Sequence, residues 1–317
     1  MKIGVFDSGV GGLSVLKSLL DSKLFSEIIY YGDTARVPYG NKDKGTIVRF
    51  SLECVDFFIP HKIDMLIVAC NTVSAYALNQ MQKIAPFPII GVVESGVLSL
   101  SNKIKNKKDS ILIIATKATI QSGVYEKNLR KLGYENIVSL QTGLFVPLVE
   151  EGIVSGEILE ATMRYYFEGN SPLELHSADS ANFERSQTPS LVSRPKFAEN
   201  YESQIENPSV VDSLHESKNK KTPSLRDEPT ARRGNPQIKK FIPNAIILGC
   251  THFPLIANPI RAFFDNKPIL IHSGEAIVEF LKQKYTLSSS PKLPKVHFYA
   301  SGDKSTLESY AKLWLNS

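Results

Sequence analysis

Two short apolar runs, "MLIVA" at 65–69 and "AIILG" at 245–249, each break off into a cysteine with hydroxyl-bearing neighbours, "CNT" and "CTH". A strand that is apolar at every position, without polar alternation, is covered on both faces. Such strands need helices on either side of a mainly parallel sheet, which restricts the chain to an α/β architecture. The helix after the first run is predicted to start near Asn71 or Thr72, leaving Cys70 at the carboxyl end of a strand. Open α/β sheets keep their ligand crevices at that end. The first N–H groups of a following helix also favour a thiolate there.

Strands are predicted at 2–6, 28–32, 64–69, 89–93, 110–115, 136–140, 245–249, 268–271 and 296–300, alternating with helical stretches. The informative ones end in polar groups: Asp7-Ser8, Asp33-Thr34, Cys70-Asn71-Thr72, Glu94-Ser95, Thr116 and Cys250-Thr251-His252. From about Gly169 to Lys240 the rhythm stops, and serine, charge and proline dominate. Too few apolar residues remain there to offset the entropy of ordering the segment, so disorder is the expectation. Taking it out reveals a repeat. Asp7 and Cys70 are 63 positions apart and Thr116 and Cys250 are 134 apart, an excess of 71 that equals the length of 170–240. The chain therefore reads as two pseudo-symmetric parallel-sheet α/β domains with an active site between them, the second carrying the insert. The first is predicted to take 1–95 and 275–317, the second 96–274.

A chain of 317 residues accommodates two domains. A formal charge of +5 is too weak to imply a nucleic-acid or membrane partner. No apolar stretch approaches the ~20 residues of a membrane span, and Ile3–Phe6 is too short for a signal sequence. Three cysteines do not make a disulfide framework, and a reducing cytoplasm fits them. Cys54 shares one helical face with Ile47, Ser51, Val55 and Phe58 and reads as a small core residue.

Four readings suit the other two cysteines. A structural zinc site wants about four closely spaced ligands, and Cys70, Cys250 and His252 are three. A redox pair usually shows C-x-x-C, which is absent, although a long-range disulfide stays open. An acyl-transfer enzyme could pair Cys250 with His252 but leaves Cys70 idle. Proton transfer at a carbon uses both, one thiolate removing a proton from one face while one thiol delivers to the other. The loop "GVFDSGVGGLSVLK" at 4–17 half-resembles a dinucleotide loop, yet Ser14 stands where a third glycine belongs and Asp7 would repel a pyrophosphate. Read alone, His252 also suits packing, Glu150 a solvated loop acid and Tyr39 a turn; His61, His272 and Trp314 read as packing residues.

The motifs "FDSGVGG", "YYGDTARVPYG", "ACNT", "ATKAT" and "LGCTHFPL" occur in that order, and over 1–168 and 241–317 the chain closely resembles the cofactor-independent glutamate racemases of the aspartate/glutamate racemase family. That resemblance implies interconversion of L- and D-glutamate without cofactor or metal, in the service of peptidoglycan synthesis. It implies Cys70 as the acid/base thiol for the D-enantiomer and Cys250 for the L-enantiomer. Asp7 would assist Cys70 and His252 would assist Cys250, with Asp33 and Glu150 as further acids. Asp7, Ser8, Tyr39, Gly40, Asn71, Thr72, Thr116, Thr119, Thr251 and His252 would hold the ammonium and the two carboxylates. A homodimer is implied as well. Related aspartate enzymes carry the same paired cysteines, so an aspartate racemase or a related acid isomerase is the alternative, against which "FDSGVGG" and "VPYG" speak. The non-enzymatic alternative is a module that binds an acidic partner through Lys218, Lys220, Lys221, Arg226, Arg232 and Arg233, a run interleaved with acids and more like a solvated linker.

Overall fold

The computed structural model describes residues 1–168, 241–287 and 292–315; the insert expected at 170–240, with its basic run, lies outside them. The described strands are β1 (Lys2–Asp7), β2 (Glu27–Gly32), β3 (Met65–Val68), β4 (Ile89–Gly91), β5 (Ile111–Ala115), β6 (Ile137–Gln141), β7 (Ala245–Gly249), β8 (Ile269–Ile271) and β9 (Lys295–Ala300). They form two sheets, ordered β4-β3-β1-β2-β9 and β6-β5-β7-β8, and every pairing is parallel. β3, β5 and β7 are buried along their whole length and β1 along all but its first residue, because helices cover both faces of each sheet.

The repeat seen in the sequence is a repeat of topology. In the first sheet β1 lies between β2 and β3, with β4 outside β3; in the second, β5 lies between β6 and β7, with β8 outside β7. β9 is the one addition, closing the outer edge of the first sheet beside β2. The C-terminal end of the chain thus returns to the first sheet. The helices Val92–Lys103 and Ser273–Lys284 carry the chain out of β4 and β8 and pack against each other.

Register puts the chemistry-bearing residues level with one another. Phe6 pairs with Val68 and Ala115 with Gly249. Asp7 therefore emerges near Cys70 from adjacent strands of one sheet, and Thr116 near Cys250 from adjacent strands of the other. The helix after β3 runs Asn71–Tyr76, starting where the sequence predicts.

All nine predicted strands are present, with one instructive difference. β4 stops at Gly91, and the next helix starts at Val92, so Glu94-Ser95 lies in a first helical turn and not at a strand end. An apolar run such as "IIGVV" suits a buried strand and a buried helix equally. The helix prevails from Val92, whose N–H donates to Ser74 Oγ at 3.3 Å. The helix Lys44–Phe58 buries Ile47, Ser51, Cys54, Val55 and Phe58, the face expected from spacing. Among the described residues no helix is long and apolar enough to cross a membrane.

Candidate active site

Cys70 and Cys250 end up almost out of solvent, 6% and 7% exposed, each one or two residues past the end of its strand. Cys70 Sγ donates to Ser8 Oγ at 3.4 Å, while Cys250 Sγ lies 3.6 Å from His252 Nδ1. His252 Nε2 in turn meets Glu150 Oε1 at 2.9 Å, making a chain Cys250–His252–Glu150. Asp7 is wholly buried, its Oδ2 accepting from the Gly9 N–H at 2.9 Å and its Oδ1 from Thr251 Oγ1 at 3.5 Å. That last contact crosses from the Cys70 half to the Cys250 half.

The glycines of "FDSGVGG" serve this approach. A Cβ on Gly11 would lie 2.6 Å from His252 Cε1 and Nδ1, and closer still to Thr251 Oγ1. Gly11 thus lets the loop after β1 touch the loop after β7. Ser14, the residue that spoils a dinucleotide motif, donates to the Thr251 carbonyl at 2.6 Å and ties the same two loops. Gly40 repeats the device at a second point, where a Cβ would sit 2.7 Å from Thr116 Cβ. At both points a glycine backbone of the first half meets side chains of the second.

Electrostatics set the two thiols apart. Burial, and then the Asp7 carboxylate, push Cys70 up to about 12, against the help of Ser8 and the Val73 N–H, and Cys250 adds to the rise. Cys70 is a thiol at neutral pH. Burial works against an imidazolium at His252, but its bonds to Cys250 and Glu150 prevail and bring it to about 10. The Cys250 sulfur therefore has a cation as its neighbour. Burial raises Asp7 as well, opposed by the His252 charge and the Gly9 and Gly12 N–H groups.

The raised His252 has a consequence for stability. An imidazole that binds its proton more tightly folded than unfolded stabilises the fold fully below its ordinary value of 6.5, and that contribution disappears as pH climbs through about 10. Urea midpoints of the parent and His252→Asn should differ most at pH 6, less at pH 9, and converge above about pH 10.5. A gap that is constant or widens with pH would contradict the assigned charge.

The remaining residues expected at the site fall into three groups. Thr72, Thr116 and Thr119 form a triangle of hydroxyls, with Oγ1 atoms 3.0 to 3.1 Å apart. Since Thr72 follows Cys70 while the other two follow β5, this triangle also spans the halves. Tyr39 donates to Asp33 Oδ2, which also accepts from Arg36 Nε at 2.7 Å. Asp33 is engaged with these two residues and has no hydrogen bond to either thiol among the described residues. Asn71 is 2% exposed, its Oδ1 accepting from Tyr125 OH at 2.6 Å and its Nδ2 donating to Ser273 Oγ at 3.4 Å.

Several neighbours have no signal in the sequence. Trp314, read as a packing residue, sets its ring edge-on to His252 with centroids 6.0 Å apart. Tyr310, from the same C-terminal helix, donates to the Glu150 carbonyl at 2.9 Å. Tyr30, fully buried in β2, donates to the Gly9 carbonyl at 3.0 Å. Arg36, Tyr125 and Ser273 complete the set. Only Ser14 could have been found beforehand, as the polar residue that departs from a glycine pattern.

A family model described as Asp/Glu/Hydantoin racemase matches residues 14–168. A glutamate racemase of Helicobacter pylori (strain Shi470) is 46% identical over 322 residues, covering 99% of each chain. The crystal structure of glutamate racemase from Campylobacter jejuni superposes with a TM-score of 0.76 at 44% identity, covering 100% of this chain and 98% of that one. A glutamate racemase from Francisella tularensis, solved in complex with D-glutamate, gives 0.68 at 28% identity, covering 100% and 94%. The fold and the paired thiols are those of an amino-acid racemase. The chain belongs to the glutamate racemases.

Proposed function

We propose that this protein interconverts L- and D-glutamate by proton transfer between two cysteines, supplying D-glutamate for peptidoglycan. The observation that carries the reading is the pair of buried thiols, each just past the end of a topologically equivalent strand and held in unlike electrostatic surroundings. Family membership and the D-glutamate complex of the Francisella tularensis relative support the substrate.

The chemistry is written with protons balanced. Cys250 as thiolate takes the α-proton of L-glutamate, leaving the electron pair on the α-carbon as a carbanion, and the Cys70 thiol then delivers its own proton to the opposite face, giving D-glutamate, a Cys250 thiol and a Cys70 thiolate. D-glutamate runs the sequence in reverse, starting from that second state. His252 beside Cys250, and Asp7 beside Cys70, exchange the protons that restore the first state. Cys70 holds its proton, and the protonated His252 lies against the Cys250 sulfur. Glu150 acts by orienting His252 and holding its charge. We assign Asp33 the same kind of task, fixing Tyr39 and with it the backbone at Gly40. The ammonium would lie near Asp7, and the two carboxylates would take donors from Ser8, Thr72, Thr116, Thr119 and Thr251, together with the N–H groups around Asn71 and Gly40. No cofactor or metal is assigned a step.

The first domain is proposed as 1–95 with 275–317 and the second as 96–274, an insert at 170–240 included; the protein is proposed to act as a cytoplasmic homodimer. Circular dichroism separates the two racemase readings. The signal of L-glutamate should decay to zero with catalytic enzyme, and that of L-aspartate should decay at least about 10²-fold more slowly. A side chain shorter by one methylene leaves the distal carboxylate short of its donors, and a site built to hydrogen-bond a group rejects analogues that do not reach it. Decay of aspartate alone would move the assignment to the alternative.

A further inference from the structure

We propose that Tyr125 is a positioning residue for this reaction, its hydroxyl locking the Asn71 side chain so that the loop bearing Cys70 is held at a fixed setting against the strand leading to Cys250. The inference rests on the two-thiol reading above.

Tyr125 lies in the helix Val124–Lys131 of the second half and is 3% exposed. Phenylalanine would fill that place without burying a hydroxyl, and a buried hydroxyl is costly unless bonded. Here it is bonded well, donating to Asn71 Oδ1 at 2.6 Å. Asn71 directly follows Cys70 in the chain, so the bond fixes the residue next to one thiol. The other end of the amide donates to Ser273 Oγ at 3.4 Å, and Ser273 Oγ donates to the Leu248 carbonyl at 3.5 Å. Leu248 lies on β7 two residues before Cys250. The ring of Tyr125 also sits beside Gly249, where an added Cβ would be 3.5 Å from Cε2. One side chain therefore grips the residue after the first cysteine and flanks the residue before the second.

The direction of the bond matters. A neutral phenol donates one proton, and the carboxamide oxygen can only accept, so Tyr125 decides which way the Asn71 amide faces. Burial, and then Cys250, raise the Tyr125 phenol and keep it a donor throughout the working pH range. With the amide so oriented, Nδ2 must face Ser273. Without the phenol, the amide is free to turn and the Cys70 loop loses a cross-half tether.

The test is Tyr125→Phe, which keeps the ring and removes the bond. Misplacement of a reacting group by about 1 Å can cost about 10²-fold, so kcat should fall about 10- to 100-fold with KM within about threefold and the far-ultraviolet spectrum unchanged. The enantiomers are equal in energy, so kcat/KM must fall equally in the two directions; isotope effects report which thiol was disturbed. The primary effect with α-deuterated D-glutamate, whose proton Cys70 removes, should rise. With α-deuterated L-glutamate the primary effect should shrink, because reprotonation by Cys70 becomes the slow step. Asn71→Ser, which cannot reach the phenol, should give the same asymmetry whether or not Tyr125→Phe folds, and the double variant should be no worse than the poorer single one. A Tyr125→Phe enzyme with parental kcat, a symmetric change in both isotope effects, or additive losses in the double variant would overturn the proposal. Cys70→Ala and Cys250→Ala, assayed alongside, separate this from failure of the two-thiol reading: if either remains active the reading itself fails, and if both are inactive only the role of Tyr125 is in question.

Discussion

Alanine in place of either Cys70 or Cys250 should abolish racemisation in both directions, with losses of at least about 10³-fold. Each thiol is 6 to 7% exposed and serves one face of the α-carbon. A positioned acid or base contributes about 10²- to 10⁴-fold, and water has little access to replace it. The losses should not add in the double variant, because removing one partner already leaves the other without a counterpart. The two single variants should still differ in partial reactions. Cys70→Ala keeps the Cys250–His252–Glu150 chain and should exchange the α-proton of L-glutamate slowly with solvent. Cys250→Ala should do the same for D-glutamate. Full turnover by either variant, measured by polarimetry, would remove the basis of the mechanism.

Gly11→Ala should also be damaging, although Gly11 itself handles no proton. The added methyl meets His252 Cε1 and Nδ1 at 2.6 Å and is closer still to Thr251 Oγ1. Something must move, and the nearest atoms are the imidazole that pairs with Cys250 and the hydroxyl that reaches Asp7. Overpacking of this kind costs about 1–3 kcal/mol, while the displaced imidazole should cost about 10²-fold in kcat/KM. Melting temperature and kcat/KM measured together check this. Parental activity would mean that the loop after β1 does not approach the loop after β7 as closely as described.

The residues that were legible in the sequence are those whose type and place in a local pattern coincide. Cys70 and Cys250 stand at the end of runs that can only be buried strands, and the offset between Asp7–Cys70 and Thr116–Cys250 anticipates the repeated strand order. Cys54 is settled by helical spacing alone. What could not be read is whatever depends on two segments meeting. Tyr125 and Asn71 are 54 positions apart, and Ser14 and Thr251 are 237 apart. No periodicity carries such a pairing. Asp33 is implied as a further acid by the family resemblance; its bonds to Arg36 and Tyr39 depend on the turn geometry after β2, which the sequence does not display. Trp314 reads as a packing residue from the sequence, and the ring it packs against is that of His252, which no local pattern shows.

The most direct measurement is of label at the α-carbon when L-glutamate is converted in heavy water and stopped at low conversion. Two thiols, each serving one face, predict that the D-glutamate formed carries one solvent deuterium at that carbon while the remaining L-glutamate stays almost unlabelled. D-glutamate that retains the substrate's own proton would mean that one group carries it across, and would contradict the account.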